Sequence, residues 1–125
     1  MVELSGVSFG YQSDKNVLDN LNLRMEEGRF YGLLGMNGSG KTTLLKLIAG
    51  KLFAHGGEIY VDCRNLRERD VETLQKVFML PADFIFPNMS LEQFLAIYSE
   101  FYPEFRKEVL NDCLVNFEIQ RDIKN

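Results

Sequence analysis

No stretch of this sequence approaches the roughly 18 consecutive apolar residues that a membrane-crossing helix requires. Its opening, Met1-Val2-Glu3-Leu4-Ser5, lacks the basic and apolar regions of a secretory signal, so a cytoplasmic protein is expected. The two cysteines, Cys63 and Cys113, match no metal or redox spacing and read as reduced thiols. The single histidine, His55, precedes two glycines and reads as a surface turn residue. There is no repeat, low-complexity tract or Pro/Ser-rich linker. Basic excess is also missing: the net charge is −4, which excludes the basic footprint of a nucleic-acid-binding domain. An acidic balance does not oppose phosphate binding, which depends on local backbone dipoles rather than on total charge.

What is present fits one domain. The chain has 125 residues, 46% hydrophobic and 26% charged, close to ordinary globular usage. Residues 2–11 alternate loosely and Leu21, Leu23 and Met25 cleanly, as half-buried strands do. Phe30-Tyr31-Gly32-Leu33-Leu34 is continuously apolar, which predicts a strand covered on both faces. Leu44, Leu45, Leu47 and Ile48 form a helical stripe that stops at Gly50. A turn at His55-Gly56-Gly57, a short strand over 58–62, a short helix around Val71 and Leu74, and a second buried strand over 77–80 follow. Beyond Pro81 the pattern turns helical. Ser90-Leu91-Glu92-Gln93 has the form of a capping box before Phe94, Leu95 and Tyr98. Pro103 suits the first turn of a further helix with a stripe of Phe105, Val109, Cys113 or Leu114, and Phe117.

One segment carries chemistry. Gly35-Met36-Asn37-Gly38-Ser39-Gly40-Lys41-Thr42 fits G-x-x-x-x-G-K-[ST] at every fixed position. A chance match in a chain of this size is on the order of one in two hundred, given average glycine usage. A di- or triphosphate is densely anionic and must be wrapped closely by backbone N–H donors. Glycines permit that approach, and the first turn of the following helix supplies unpartnered N–H groups with the helix dipole behind them. Lys41 adds a charge for the β- and γ-phosphates and so is the candidate catalytic residue. Thr42 offers a hydroxyl to Mg²⁺, an oxygen-seeking ion shared with the phosphates.

The whole pattern resembles the ATP-binding subunit of an ABC transporter. Val7-Ser8-Phe9-Gly10-Tyr11 is similar to that family's opening strand, and Val17-Leu18-Asp19-Asn20-Leu21-Asn22-Leu23 to its second. The run 32–45, with its Asn-Gly and doubled Thr, is close to the family's phosphate loop; Met36 stands where proline is common. Ile48-Ala49-Gly50 and Gly57-Glu58-Ile59 continue the match. The resemblance implies an α/β P-loop NTPase of the ABC-ATPase type, three-layered, with an N-terminal antiparallel β subdomain and the start of a helical subdomain. It implies one incomplete ATP-binding domain over 1–125, divided into a strand and P-loop core (1–80) and a region that begins the helical subdomain (81–125). It also implies ATP and Mg²⁺ as cofactors. Tyr11 would lie on adenine, with Val17 touching the base or ribose edge or simply packing in the core, and Asn37, Gly38, Ser39, Gly40, Lys41, Thr42 and Thr43 would hold the phosphates. The implied partners are a membrane-spanning permease, which would hold the protein at the membrane surface, and a second ABC ATPase subunit.

Two departures bear on turnover. The family usually places a glutamine after the Leu-Pro that ends the second buried strand, to meet Mg²⁺ and the attacking water; here Leu80-Pro81 is followed by Ala82, with Asp83 one residue further as a candidate metal ligand. The Leu-Ser-Gly-Gly-Gln signature, a strand ending in Asp-Glu and the histidine switch do not occur within the 125 residues. Transport ATPase is therefore weighed against a truncated or regulatory ATP-binding module without hydrolysis, and against a soluble ABC protein of repair or translation. A GTPase is disfavoured by the lack of an Asn-Lys-x-Asp motif. Phe84-Ile85-Phe86 reads equally as an interface or as packing.

Overall fold

The computed structural model describes residues 1–83 and 87–119. Two units divide the chain, Met1–Met79 and Leu80–Asn125. The first is built on strand β1 (Val2–Phe9), which pairs antiparallel with β2 (Leu18–Met25) on one edge. On its other edge it pairs antiparallel with β3 (Gly56–Val61), and the two-residue β4 (Arg64–Asn65) completes the order β2-β1-β3-β4.

Strict alternation would put Leu4, Gly6 and Ser8 on one face of β1. The buried residues are instead Leu4, Val7 and Phe9. The register with β2 shifts between Leu4 and Val7, where Gly6 sits at φ +60°. This bulge inserts one residue and moves Val7 and Phe9 onto the face of Leu4. The loose alternation of the sequence is the trace of that shift.

Helix α1 (Lys41–Ile48) supplies Leu44 and Leu47 to a core shared with Leu4, Val7, Phe9, Ile59, Val61 and Leu66. Burying a leucine side chain stabilises by about 1.5–3 kcal/mol. The helix ends in a Schellman arrangement: Gly50 at φ +65° donates to the Leu47 carbonyl, and Lys51 N–H to the Lys46 carbonyl. β3 and β4 are joined through Asp62 and Cys63, both at positive φ as a two-residue hairpin of type I′ requires. A short helix α2 (Val71–Gln75) follows, capped by Asp70. The Asp70 carboxylate accepts from both the N–H and the hydroxyl of Thr73, which satisfies that 1% exposed polar residue.

Two expected strands are absent. Residues 30–34 and 77–80 belong to no strand, and Phe30 is 105% and Leu34 94% exposed. A fully apolar strand is stable only between neighbours on both faces and both edges. Among the described residues the four strands pair only with one another, so neither run has a strand beside it. The third strand also begins at Gly56, two residues earlier than its composition predicts.

In the second unit, α3 (Leu91–Tyr98) opens with the predicted capping box. The Ser90 hydroxyl accepts from Gln93 N–H at 3.3 Å, and the Gln93 side chain accepts from Ser90 N–H at 3.0 Å. Phe94 and Tyr98, one turn apart, stack with centroids 4.0 Å apart. Helix α4 (Lys107–Asn116) begins four residues after Pro103, which lies in a turn rather than in the helix. Of the predicted stripe, Leu114 is buried while Val109, Cys113 and Phe117 are exposed. Phe84-Ile85-Phe86 lies outside the described residues.

Candidate functional site

The site begins where β1 ends. After Phe9 the chain makes a short excursion that returns when Val17 N–H donates to the Phe9 carbonyl at 2.7 Å. Tyr11 rides on that excursion and is 62% exposed. Its ring meets the buried Phe9 ring edge to face, with centroids 5.1 Å apart and planes at 88°. The His55 ring, itself exposed, tilts against Phe9 at 5.0 Å. Tyr11 and Thr43, 32 residues apart in sequence, share a hydrogen bond of 3.2 Å between their hydroxyl oxygens.

The glycine-rich loop delivers α1 to this place. Gly40 caps the helix at φ +89°, a left-handed conformation, and no side chain closes that helix end. A Cβ on Gly40 would stand 3.1 Å from both Val17 Cγ1 and Leu18 Cδ2. Hydrogen in place of a side chain thus lets the loop close onto the start of β2. Lys41 curls back on its own loop, donating to the carbonyls of Gly35 and Met36 at 2.7 Å each. Within the loop, Ser39 N–H donates to the Met36 carbonyl at 3.2 Å.

These elements enclose an open cavity of about 320 Å³. Tyr11 and Val17 line one part, and Asn37, Gly38, Gly40, Lys41, Thr42 and Thr43 the other. Ser39 shares the loop but not the lining. Thr42 is exposed, whereas Thr43 is 5% exposed and turned into the fold. Asp83 is an exposed turn residue of the second unit, so the cavity is built from the first unit alone. Among the described residues no three His, Cys, Asp or Glu side chains gather as a metal cluster. Phe9 as the prop behind Tyr11, and the Tyr11–Thr43 hydrogen bond, escaped the sequence reading. The Phe9-Gly10-Tyr11 spacing was the available signal for the first, and nothing local signals the second.

The fold is that of the ABC-type P-loop NTPases, carrying an antiparallel sheet and helices. A family model for the ABC transporter matches residues 18–124, and the chain belongs to that family. Among solved structures, an ABC transporter ATP-binding protein from Pyrococcus furiosus is 32% identical with a TM-score of 0.77, over 98% of this chain and 60% of that one. The ATP-binding subunit of an ABC transporter is 22% identical with a TM-score of 0.82, over 100% of this chain and 53% of that one. A dimeric ATP-binding cassette in a post-hydrolysis state, bound to ADP and Pi, is 26% identical with a TM-score of 0.71, over 99% and 61%. The chain thus spans little more than half the length of these structures.

Proposed function

We propose that the chain binds Mg-ATP in the cavity between Tyr11 and the loop 35–43, as the nucleotide-holding part of an ABC transporter's ATPase. The observation that carries this reading is the juxtaposition of three groups on one cavity. These are an exposed aromatic ring, a helix N-terminus closed by no side chain, and an ammonium resting on loop carbonyls.

The phosphates would take the place of those carbonyls on Lys41 and accept from the N–H groups of Asn37 to Thr43, with the dipole of α1 behind them. Adenine would lie against the Tyr11 ring, with Val17 at its edge. The donor chemistry suits Mg²⁺: Thr42 presents one exposed hydroxyl oxygen, and this ion is commonly held by few protein ligands together with phosphate oxygens and waters. The ion would neutralise phosphate charge and orient the β- and γ-oxygens. Hydrolysis, assisted by a second ABC ATPase subunit, would drive substrate movement through a membrane-spanning permease at the cytoplasmic face. Family membership and the dimeric, ADP-bound relative support this part of the reading.

Lys41→Ala tests it. Removing a hydrogen bond to a charged group costs about 1.5–3 kcal/mol, which corresponds to roughly 10- to 150-fold weaker Mg-ATP binding in a calorimetric titration. Unchanged affinity in a folded variant would overturn the site.

A further inference from the structure

The turn after β4 brings two arginines to the C-terminal end of α1, away from the phosphate loop. Buried Leu66 anchors the turn, and the Asn65 side chain accepts from Arg67 N–H at 3.0 Å. Arg69 N–H donates to the Leu66 carbonyl at 3.2 Å, and Arg69 sits at φ +54°. An L side chain is disfavoured there, and glycine or asparagine is the usual occupant, so the turn itself does not call for arginine. What the position supplies is aim. Arg69 Nη1 donates to the Gly50 carbonyl at 2.8 Å, and its guanidinium carbon lies 5.4 Å from the centre of the Phe53 ring. Arg67 Nη2 donates to the Ala54 carbonyl at 3.2 Å.

These contacts leave most of each guanidinium unused. The group carries five N–H donors in a fork that matches a carboxylate. Elsewhere in the first unit, Arg29 pairs with Glu26, Arg64 with Asp70 and Glu72, and Lys76 with Asp62. Among the described residues no carboxylate pairs with Arg67 or Arg69. Glu58 lines the same cavity as Arg67, but its carboxylate accepts from the Tyr60 hydroxyl and from Asn65 Nδ2. That cavity, of about 40 Å³, runs from the 52% exposed Phe53 to the buried Leu47, Ile59 and Leu66. It is far smaller than the roughly 300–1,000 Å³ of a small-molecule site, and suits the tip of one side chain.

We propose that the surface around Phe53, Arg67 and Arg69 docks an acidic polypeptide segment of a partner protein. One apolar side chain of the segment seats in the cavity, and flanking carboxylates pair with the two guanidinium groups. Charge decides the partner: two cations without acids select an acidic segment, and Glu58 repels a carboxylate from the opposite rim. Arginine and phenylalanine are enriched at protein interfaces, and side chains already held on carbonyls lose little freedom when bound. The inference is independent of the ATP-binding reading, since this cavity shares no residue with the one at the phosphate loop.

The test titrates the 125-residue chain with dye-labelled, end-blocked peptides at low ionic strength, read by fluorescence anisotropy. The peptides are Glu-Glu-Leu-Glu-Glu, its glycine-centred form, and Lys-Lys-Leu-Lys-Lys. The first should bind at least about 10-fold more tightly than the glycine form, which loses the burial of one leucine. Arg67→Gln and Arg69→Gln should each weaken it by about 2- to 5-fold, the range of an exposed ion pair. Arg67→Glu should weaken the acidic peptide and strengthen the basic one, an exchange that a merely structural arginine would not produce. Mg-ATP affinity, measured by calorimetry on the same variants, should stay level. Thermal midpoints identify folded variants; Arg67 is exposed and makes one hydrogen bond, so its variants keep the test open if Arg69→Gln unfolds. Equal binding of acidic and basic peptides, no response to Arg67→Glu, or equal binding of the leucine and glycine forms would each overturn the proposal. So would tighter, Arg67-dependent binding to phosphatidylserine vesicles than to the acidic peptide, which would assign the surface to lipid.

Discussion

Asp62 ties together three parts of the first unit. One carboxylate oxygen accepts from Lys76 Nζ at 2.8 Å, the other from the ammonium of Met1 at 2.6 Å, and its backbone N–H donates to the Met1 carbonyl. The Lys76 hydrogen bond, followed by that of the terminal ammonium, lowers the carboxyl from its ordinary value of 3.8 to about 2. A folded-state value below the unfolded one means that the unfolded chain binds the proton more readily. The stabilisation is therefore complete above the ordinary carboxylate range and is lost as pH falls from about 4 towards 2. Because the carboxylate is 36% exposed, solvent screening keeps the effect modest. Denaturant midpoints measured across that window should fall less steeply for Asp62→Asn than for the parent. Equal slopes would show that the triad does not persist in solution.

At the level of elements, β1 shows how a pattern can be right and still read poorly. Its three core residues follow a period of two only after the Gly6 bulge is allowed for, and the bulge depends on the neighbouring strand. Beside it, Gly57 on β3 lies at φ +75°, and a Cβ there would stand 2.4 Å from the backbone of Gly6 and Ser5. Gly57→Ala should cost about 2–5 kcal/mol, combining the left-handed conformation with overpacking against rigid backbone. That is a large share of a small domain's stability, and a urea titration reads it directly. Elements that close on themselves were legible from sequence: the Ser90–Gln93 capping box needs only its own four residues, and α1 only its stripe and Gly50. The runs at 30–34 and 77–80 were not. Whether an apolar run becomes a strand is decided by what lies alongside it, and no residue within the run encodes that. Pro103 misled for a related reason: it suits a first helical turn, yet it equally suits the turn that precedes Lys107.

At the scale of the whole molecule, the proposed holding of a nucleotide and its proposed cleavage make different demands on these residues. The loop motif is local in sequence, and Tyr11, Asn37, Gly38, Gly40, Lys41, Thr42 and Thr43 of the proposed site line one cavity, without Ser39. Cleavage requires in addition a group that orients water, and stabilisation of charge spreading over the γ-phosphoryl oxygens. Ala82 is exposed and has no polar side-chain atom to offer. At saturating Mg-ATP the 125-residue chain is expected to release phosphate no faster than its Lys41→Ala variant. Steady turnover well above that control would locate a water-orienting carboxylate within these residues, with Asp83→Asn the first substitution to try. The way Lys41 waits bears on selectivity among the ions of a cell. Its ammonium rests on two carbonyl oxygens at 2.7 Å, so an incoming anion must compete with a chelate rather than with loosely held water. Chloride, or a lone carboxylate, would exchange two matched contacts for one and gain little. A polyphosphate presents several charged oxygens on one chain and can replace both at once. In the proposed site, a lysine resting this way would favour ligands that offer several charged oxygens at once.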